Sequence, residues 1–134
     1  MLTGMNVTGG TLVFDGDCGF CTRSLGWLRL LDTKHRVTTA PFQRPDAPMM
    51  VDATPEQCAA ALRWKGSDGT TAEGAAAINA ALSAALHTDL PLRVYRHTQA
   101  VQERLYDWVA RHRGRLPGMT PWCERFPADC GRSG

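Results

Sequence analysis

Short apolar runs and helical spacings of apolar residues alternate along most of the chain, and each predicts an element. Thr11–Asp15, with Val13 and Phe14 as its strongest positions, predicts a short buried strand, which Val7 would start early. Before it, residues 1–10 hold three glycines and little periodicity, which predicts a loose leader. From about Phe20 to Leu31 the spacing becomes helical, with Cys21, Leu25 and Leu28 at i, i+4 and i+7 on one face. A polar connection from Asp32 to Arg36 follows, then a second strand over Val37–Ala40, stopped by Pro41. Strand, helix and strand within about 30 residues make a βαβ unit, so these two strands should be parallel. Phe42–Asp52, with Pro45 and Pro48, reads as an irregular crossing.

Thr54 is placed as N-cap of a short helix ending near Ala60, with Pro55 at its first position and Gln57 completing a capping box. Leu62–Lys65, a turn at Ser67–Gly69 and Thr70–Glu73 predict an antiparallel hairpin. Gly74 then opens an alanine-rich helix to about Leu86, with Ile78, Ala81, Leu82 and Ala85 inward. After a break over His87–Pro91, Leu92–Arg96 predicts a separate helical turn. A long helix is expected over Thr98–His112, with Val101, Leu105, Trp108 and Val109 spaced for burial. Leu116–Gly118 ends the regular structure, and the tail carries Trp122, Cys123 and Cys130 among turn residues. Trp27, Trp64 and Trp108 read as core or core-edge side chains.

The 134 residues suit one domain with a real core. A net charge of +2 gives no footing for nucleic acid or an anionic membrane. Apolar runs fall well short of the roughly 20 residues that a membrane span requires. The first six residues carry neither a basic nor an apolar signal region, so a cytoplasmic protein is expected. The five cysteines, Cys18, Cys21, Cys58, Cys123 and Cys130, are an odd number without a secretion signal, which argues against a disulfide scaffold.

Cys18 and Cys21 stand three apart where a strand turns into a helix, which is the spacing that dithiol chemistry uses. Unpaired N–H groups and the positive dipole end favour a thiolate on Cys18. The adjacent Asp17, placed as N-cap of the helix, opposes that effect while supporting the turn with Gly19 and Phe20. Helical geometry turns Cys21 towards the core and leaves Cys18 at the rim, an exposed attacker and a shielded resolver. The Gly19-Phe20 dipeptide brings no histidine to stabilise the thiolate, which leans towards a reducing site. Asp15, at the end of the first strand, is either a proton relay to Cys21 or a turn-capping carboxylate. A non-catalytic module is the competing reading, with the two cysteines forming half of a structural zinc site that Cys123, Cys130, Cys58 or a histidine completes. The six-residue gap between Cys123 and Cys130 fits a zinc knuckle poorly. No resident metal or other cofactor is expected.

The element order β-α-β-α-β-β-α, with the cysteine pair after the first strand, is that of an α/β thioredoxin-like core with a mixed sheet. This places a domain over residues 11–90, with a C-terminal helical extension and irregular tail, 91–134, packed on it. The block from Phe14 to Cys21 carries a DxxCxxC motif and resembles the DCC family of thiol–disulfide oxidoreductases, also called the domain of unknown function 393 family. Further similarity lies in Pro41-Phe42-Gln43, in Asp68-Gly69 with Glu73-Gly74, and in Tyr106–Arg113 with Cys123 beyond, over about residues 11–123. The resemblance implies disulfide exchange with a disulfide-containing protein or a low-molecular-weight thiol. It also gives Cys123 a family counterpart: an auxiliary thiol that exchanges with the pair, bonds Cys130 or stays reduced. Thioredoxins and glutaredoxins place a cis-proline before the third strand; here that stretch is Cys58-Ala59-Ala60-Ala61. Cys58 reads as a small buried hydrophobe. His35, His87, His97 and His112 show no ligand spacing. Arg111, Arg113 and Arg115 read as solvated complements of a helix dipole, with an anionic partner such as a glutathione carboxylate as the second reading.

Overall fold

The computed structural model describes residues 9–116 and 118–132; the expected leader and the early start at Val7 fall outside them, apart from Gly9 and Gly10. In chain order the elements are β1 (Gly10–Phe14), α1 (Gly19–Leu31), β2 (Val37–Pro41), α2 (Ala47–Met50), α3 (Pro55–Ala60), β3 (Arg63–Gly66), β4 (Thr71–Glu73), α4 (Ala75–Leu86), α5 (Leu90–His112) and α6 (Trp122–Arg125). A 3-10 turn over Pro127–Cys130 follows. The strands form one mixed sheet in the order β2-β1-β3-β4. β1 and β2 are parallel, as the βαβ unit requires, while β3 runs antiparallel to both β1 and β4. Element order and sheet order together are those of a thioredoxin-like core.

Alternation along β1 divides the interior in two. Leu12 and Phe14 face a core with Leu25 and Leu28 of α1, Trp64 of β3 and the alanines of α4. Val13 faces the other side, towards Ala40, Ala47, Val51 and Cys58. Because α4 is buried through small residues, its backbone lies close against the sheet and α1. The expected inner position of Ile78 is corrected: it is exposed, while Ala77, Ala80, Ala81 and Ala84 make the buried face. The crossing after β2 contains the short helix α2, which Pro48 helps to start. Thr54 and Gln57 make the capping box of α3 in both directions. Thr54→Ala is therefore expected to lower unfolding stability by about 1 kcal/mol, read as a lower denaturant midpoint at unchanged slope.

Helix α5 is broken at Thr98 (φ −127°, ψ 23°), which separates the expected turn from the expected long helix. Its apolar stripe does not enter the core: Val101 is 69% and Leu105 60% exposed, Trp108 is exposed, and Val109 is half-buried. The side of α5 that docks is polar instead. Asn79 Nδ2 donates to Gln102 Oε1 at 2.7 Å, and Tyr106 Oη accepts the Leu62 N–H at 2.9 Å. The Ala75 N–H donates to Glu103 Oε1 at 3.4 Å. These bonds satisfy groups on α4 and at the start of β3, and so fix the rotation of α5 against its apolar pattern. Trp64 is buried as expected, while Trp27 is exposed. No helix among the described residues is long and apolar enough to cross a membrane.

Candidate active site

The site lies where β1 ends and α1 begins. Cys18, not Asp17, is the N-cap of α1: it has extended backbone angles (φ −101°, ψ 114°), and its Sγ accepts the Cys21 N–H at 3.1 Å. Asp17 is drawn away by Arg132, whose guanidinium grips both carboxylate oxygens at 2.9 and 2.8 Å. That hydrogen-bonded pairing holds the Asp17 carboxyl below its ordinary range, although burial works the other way. Cys18 and Cys21 are joined as a disulfide, with Cα atoms 5.2 Å apart.

The expected split between an exposed Cys18 and a shielded Cys21 is corrected. Cys18 is only 8% exposed, whereas Cys21 is half-buried. The buried side of α1 is set by Thr22, Leu25 and Leu28, which turns Cys18 inward and leaves Cys21 on the flank. Cys18 still reaches solvent through an open cleft of about 520 Å³, lined also by Asp15, Asp17, Gly19, Phe20, Arg113 and Met119. One wall is the segment after α5, whose Met119 N–H donates to Gly19 O at 3.2 Å. A Cβ on Gly19 would lie 2.5 Å from Met119 O, and one on Gly118 2.6 Å from Phe20 N, so the two glycines permit this approach.

Asp15 fixes the loop. Its Oδ1 accepts the Asp17 N–H at 2.9 Å and Gln43 Nε2 at 2.8 Å, so the turn-capping role is present. Its Oδ2 pairs with Arg113 Nη2 at 2.9 Å, and Arg113 Nη1 lies 3.8 Å from Cys21 Sγ. Arg113 is thus not merely a solvated complement of a helix end; the return of the chain after α5 delivers it to the dithiol. Gln43, just beyond β2, closes the loop from the other side by accepting the Gly16 N–H at 3.0 Å. Sequence reasoning passed over the roles of Arg113, Gln43 and Arg132. The first two fell within stretches that carried the family resemblance, which was the available signal.

Cys123 is bonded to Cys130, with Cα atoms 5.6 Å apart. Its N–H donates to Gly16 O at 2.9 Å, and a Cβ on Gly16 would come within 2.5 Å of its Sγ. The tail is therefore packed against the active-site loop. Trp122 pins it further: its backbone N–H donates to Thr22 Oγ1 at 3.1 Å, and its ring meets Phe14 edge-on at 5.9 Å. Cys58 is buried as expected, and burial pushes its thiol up. Among the described residues, no group of three or more His, Cys, Asp and Glu side chains is placed to hold a metal ion.

Residues 12–119 match the family model of DCC1-like thiol-disulfide oxidoreductases, which covers most of the chain and includes the whole cysteine loop. The chain belongs to this family. No curated protein and no solved structure matches it. Within this DCC1-like chain the matched span reaches from β1 through Arg113 to Met119, so both walls of the cleft belong to the shared part. The Cys123–Cys130 clasp lies just beyond it.

Proposed function

We propose that the protein exchanges thiols and disulfides through Cys18 and Cys21, with Cys18 as the attacking sulfur and Cys21 as the resolving one. The observation that carries this reading is the position of Cys18 Sγ: at the start of α1, at the cleft, and accepting the Cys21 N–H at 3.1 Å. A thiolate there gains a backbone donor and the positive end of a 13-residue helix. It attacks a substrate disulfide, forms a mixed disulfide and expels one substrate thiolate. Cys21, as thiolate, then attacks Cys18 Sγ, closes the Cys18–Cys21 bond and releases the second thiolate. Asp15, Asp17, Gly19 and Phe20 shape the cleft around the reacting sulfur.

The exchange partner is a disulfide-containing protein, which is reduced, or a low-molecular-weight thiol, which attacks the Cys18–Cys21 bond and returns the pair to the dithiol. The reaction runs in the cytoplasm and leans towards the reducing direction. The Gly19-Phe20 dipeptide supports that direction, since it places no histidine between the sulfurs. Residues 11–90 carry the chemistry, and 91–134 complete it by bringing Arg113 and Cys123 to the loop. A redox titration of the Cys18–Cys21 pair is expected to give one defined two-electron midpoint. No midpoint, or stoichiometric zinc with thiols unreactive to iodoacetamide, would sink the reading.

A further inference from the structure

We propose that Arg113 is a catalytic residue of the dithiol: its guanidinium holds the negative charge that appears on Cys21 Sγ whenever the Cys18–Cys21 bond opens. This rests on the exchange reading above and adds to it the group that handles the charge. When an incoming thiolate attacks Cys18 Sγ, a new S–S bond forms and the Cys18–Cys21 bond breaks. The electron pair of the broken bond leaves on Cys21, with no proton transfer needed in that step. In the reverse direction the same Cys21 thiolate attacks Cys18 Sγ of the mixed disulfide, and the partner departs as thiolate. Charge resides on Cys21 on one side of the step in both directions, so a cation there acts on either.

The geometry supplies that cation. Arg113 Nη1 points at Cys21 Sγ from 3.8 Å, while Nη2 is tied to Asp15 Oδ2 at 2.9 Å. Asp15 is itself held by the Asp17 N–H and by Gln43, so the guanidinium is positioned from below by a fixed carboxylate. Asp15 is then a positioning residue that acts on Cys21 through Arg113. The other charged groups at the loop, Asp17 and Arg132, are engaged with each other. Cys21 is not capped by the helix donors that serve Cys18, and Arg113 is the charged donor that reaches its sulfur. A guanidinium whose side chain is 37% exposed is partly screened by water, so its effect on the thiol is set at the low end for a charge at this range.

The test isolates Cys21 in a Cys18→Ser, Cys58→Ala background, with Cys123–Cys130 kept oxidised, and titrates it by thiolate absorbance, which requires neither substrate nor turnover. Adding Arg113→Met is expected to raise the Cys21 pKa by about one unit, a roughly tenfold smaller thiolate fraction at neutral pH. Arg113→Lys, which keeps the charge, is expected to recover most of that shift. An unchanged pKa with Arg113→Met overturns the proposal. So does an Arg113→Lys protein shifted as far as the Met one, because the thiol would then be responding to lost packing. The redox midpoint of the unsubstituted pair tests the exchange reading separately, and either result can fail without the other.

Discussion

Cys18→Ser is expected to reduce disulfide exchange by about a thousandfold or more, to the background of the assay. A hydroxyl at this position receives the same Cys21 N–H and the same helix end, but its oxygen is not an attacking thiolate at neutral pH and forms no mixed disulfide. The fold should be unaffected, since the change removes little volume and serine is itself a good N-cap. The paired variant, Cys21→Ser, is expected to behave differently. It retains the attacking sulfur, so a mixed disulfide with substrate accumulates and is visible by mass as one substrate adduct per chain. A Cys18→Ser protein with undiminished exchange would place the chemistry elsewhere. An adduct forming on Cys21 while Cys18 is replaced would reverse the two roles.

Loss of the tail clasp should be the largest stability effect. The Cys123–Cys130 bond spans seven positions and closes an eight-residue loop. Loop-closure entropy alone assigns such a crosslink about 2.5 kcal/mol at 25 °C. The Cys123→Ser, Cys130→Ser double variant is accordingly expected to unfold at lower denaturant than the oxidised protein, with the slope nearly unchanged. The second consequence is local. Cys123 donates to Gly16 O and its sulfur packs on Gly16, two residues before the attacking sulfur. Arg132, two residues past Cys130, grips Asp17. Freeing the tail should therefore speed hydrogen exchange in the Asp15–Cys18 loop before it affects β1 or β3. An unchanged unfolding midpoint would mean that the contacts of Trp122 with Phe14 and Thr22 hold the tail without the crosslink.

The elements that were legible in advance are those whose signals are local. Thr54, Pro55 and Gln57 carry the start of α3 within four residues, and the structure contains that capping box. The strand, helix and strand around the cysteines lie within one short stretch, and parallel pairing of β1 with β2 follows from the connection between them. Errors came where distant groups overrode a local preference. Asp17 is a good N-cap by residue type, yet Arg132, 115 residues away in sequence, takes its carboxylate. Val101, Leu105 and Trp108 have the spacing of a buried helix face, yet Asn79 and the Leu62 N–H dock the neighbouring face of α5, through Gln102 and Tyr106. Cys21 shares a helical face with Leu25 and Leu28, but the face that packs passes through Thr22 and takes Cys18 inward instead.

By itself the sequence determined the β-α-β-α-β-β-α order of the main elements (though not the short helices α2 and α6), the thioredoxin-like core and the cysteine pair at the start of α1, because periodicity, caps and turn residues act over a few positions. Only the tertiary structure decided which sulfur is more buried and what surrounds the pair. It brought Arg113 to Cys21 across 92 positions and Gln43 to Asp15 across 28, and it closed the tail over Gly16. Those contacts depend on where the chain returns after α5 and β2. That return is set by the packing of whole helices and strands, to which no short window of sequence has access.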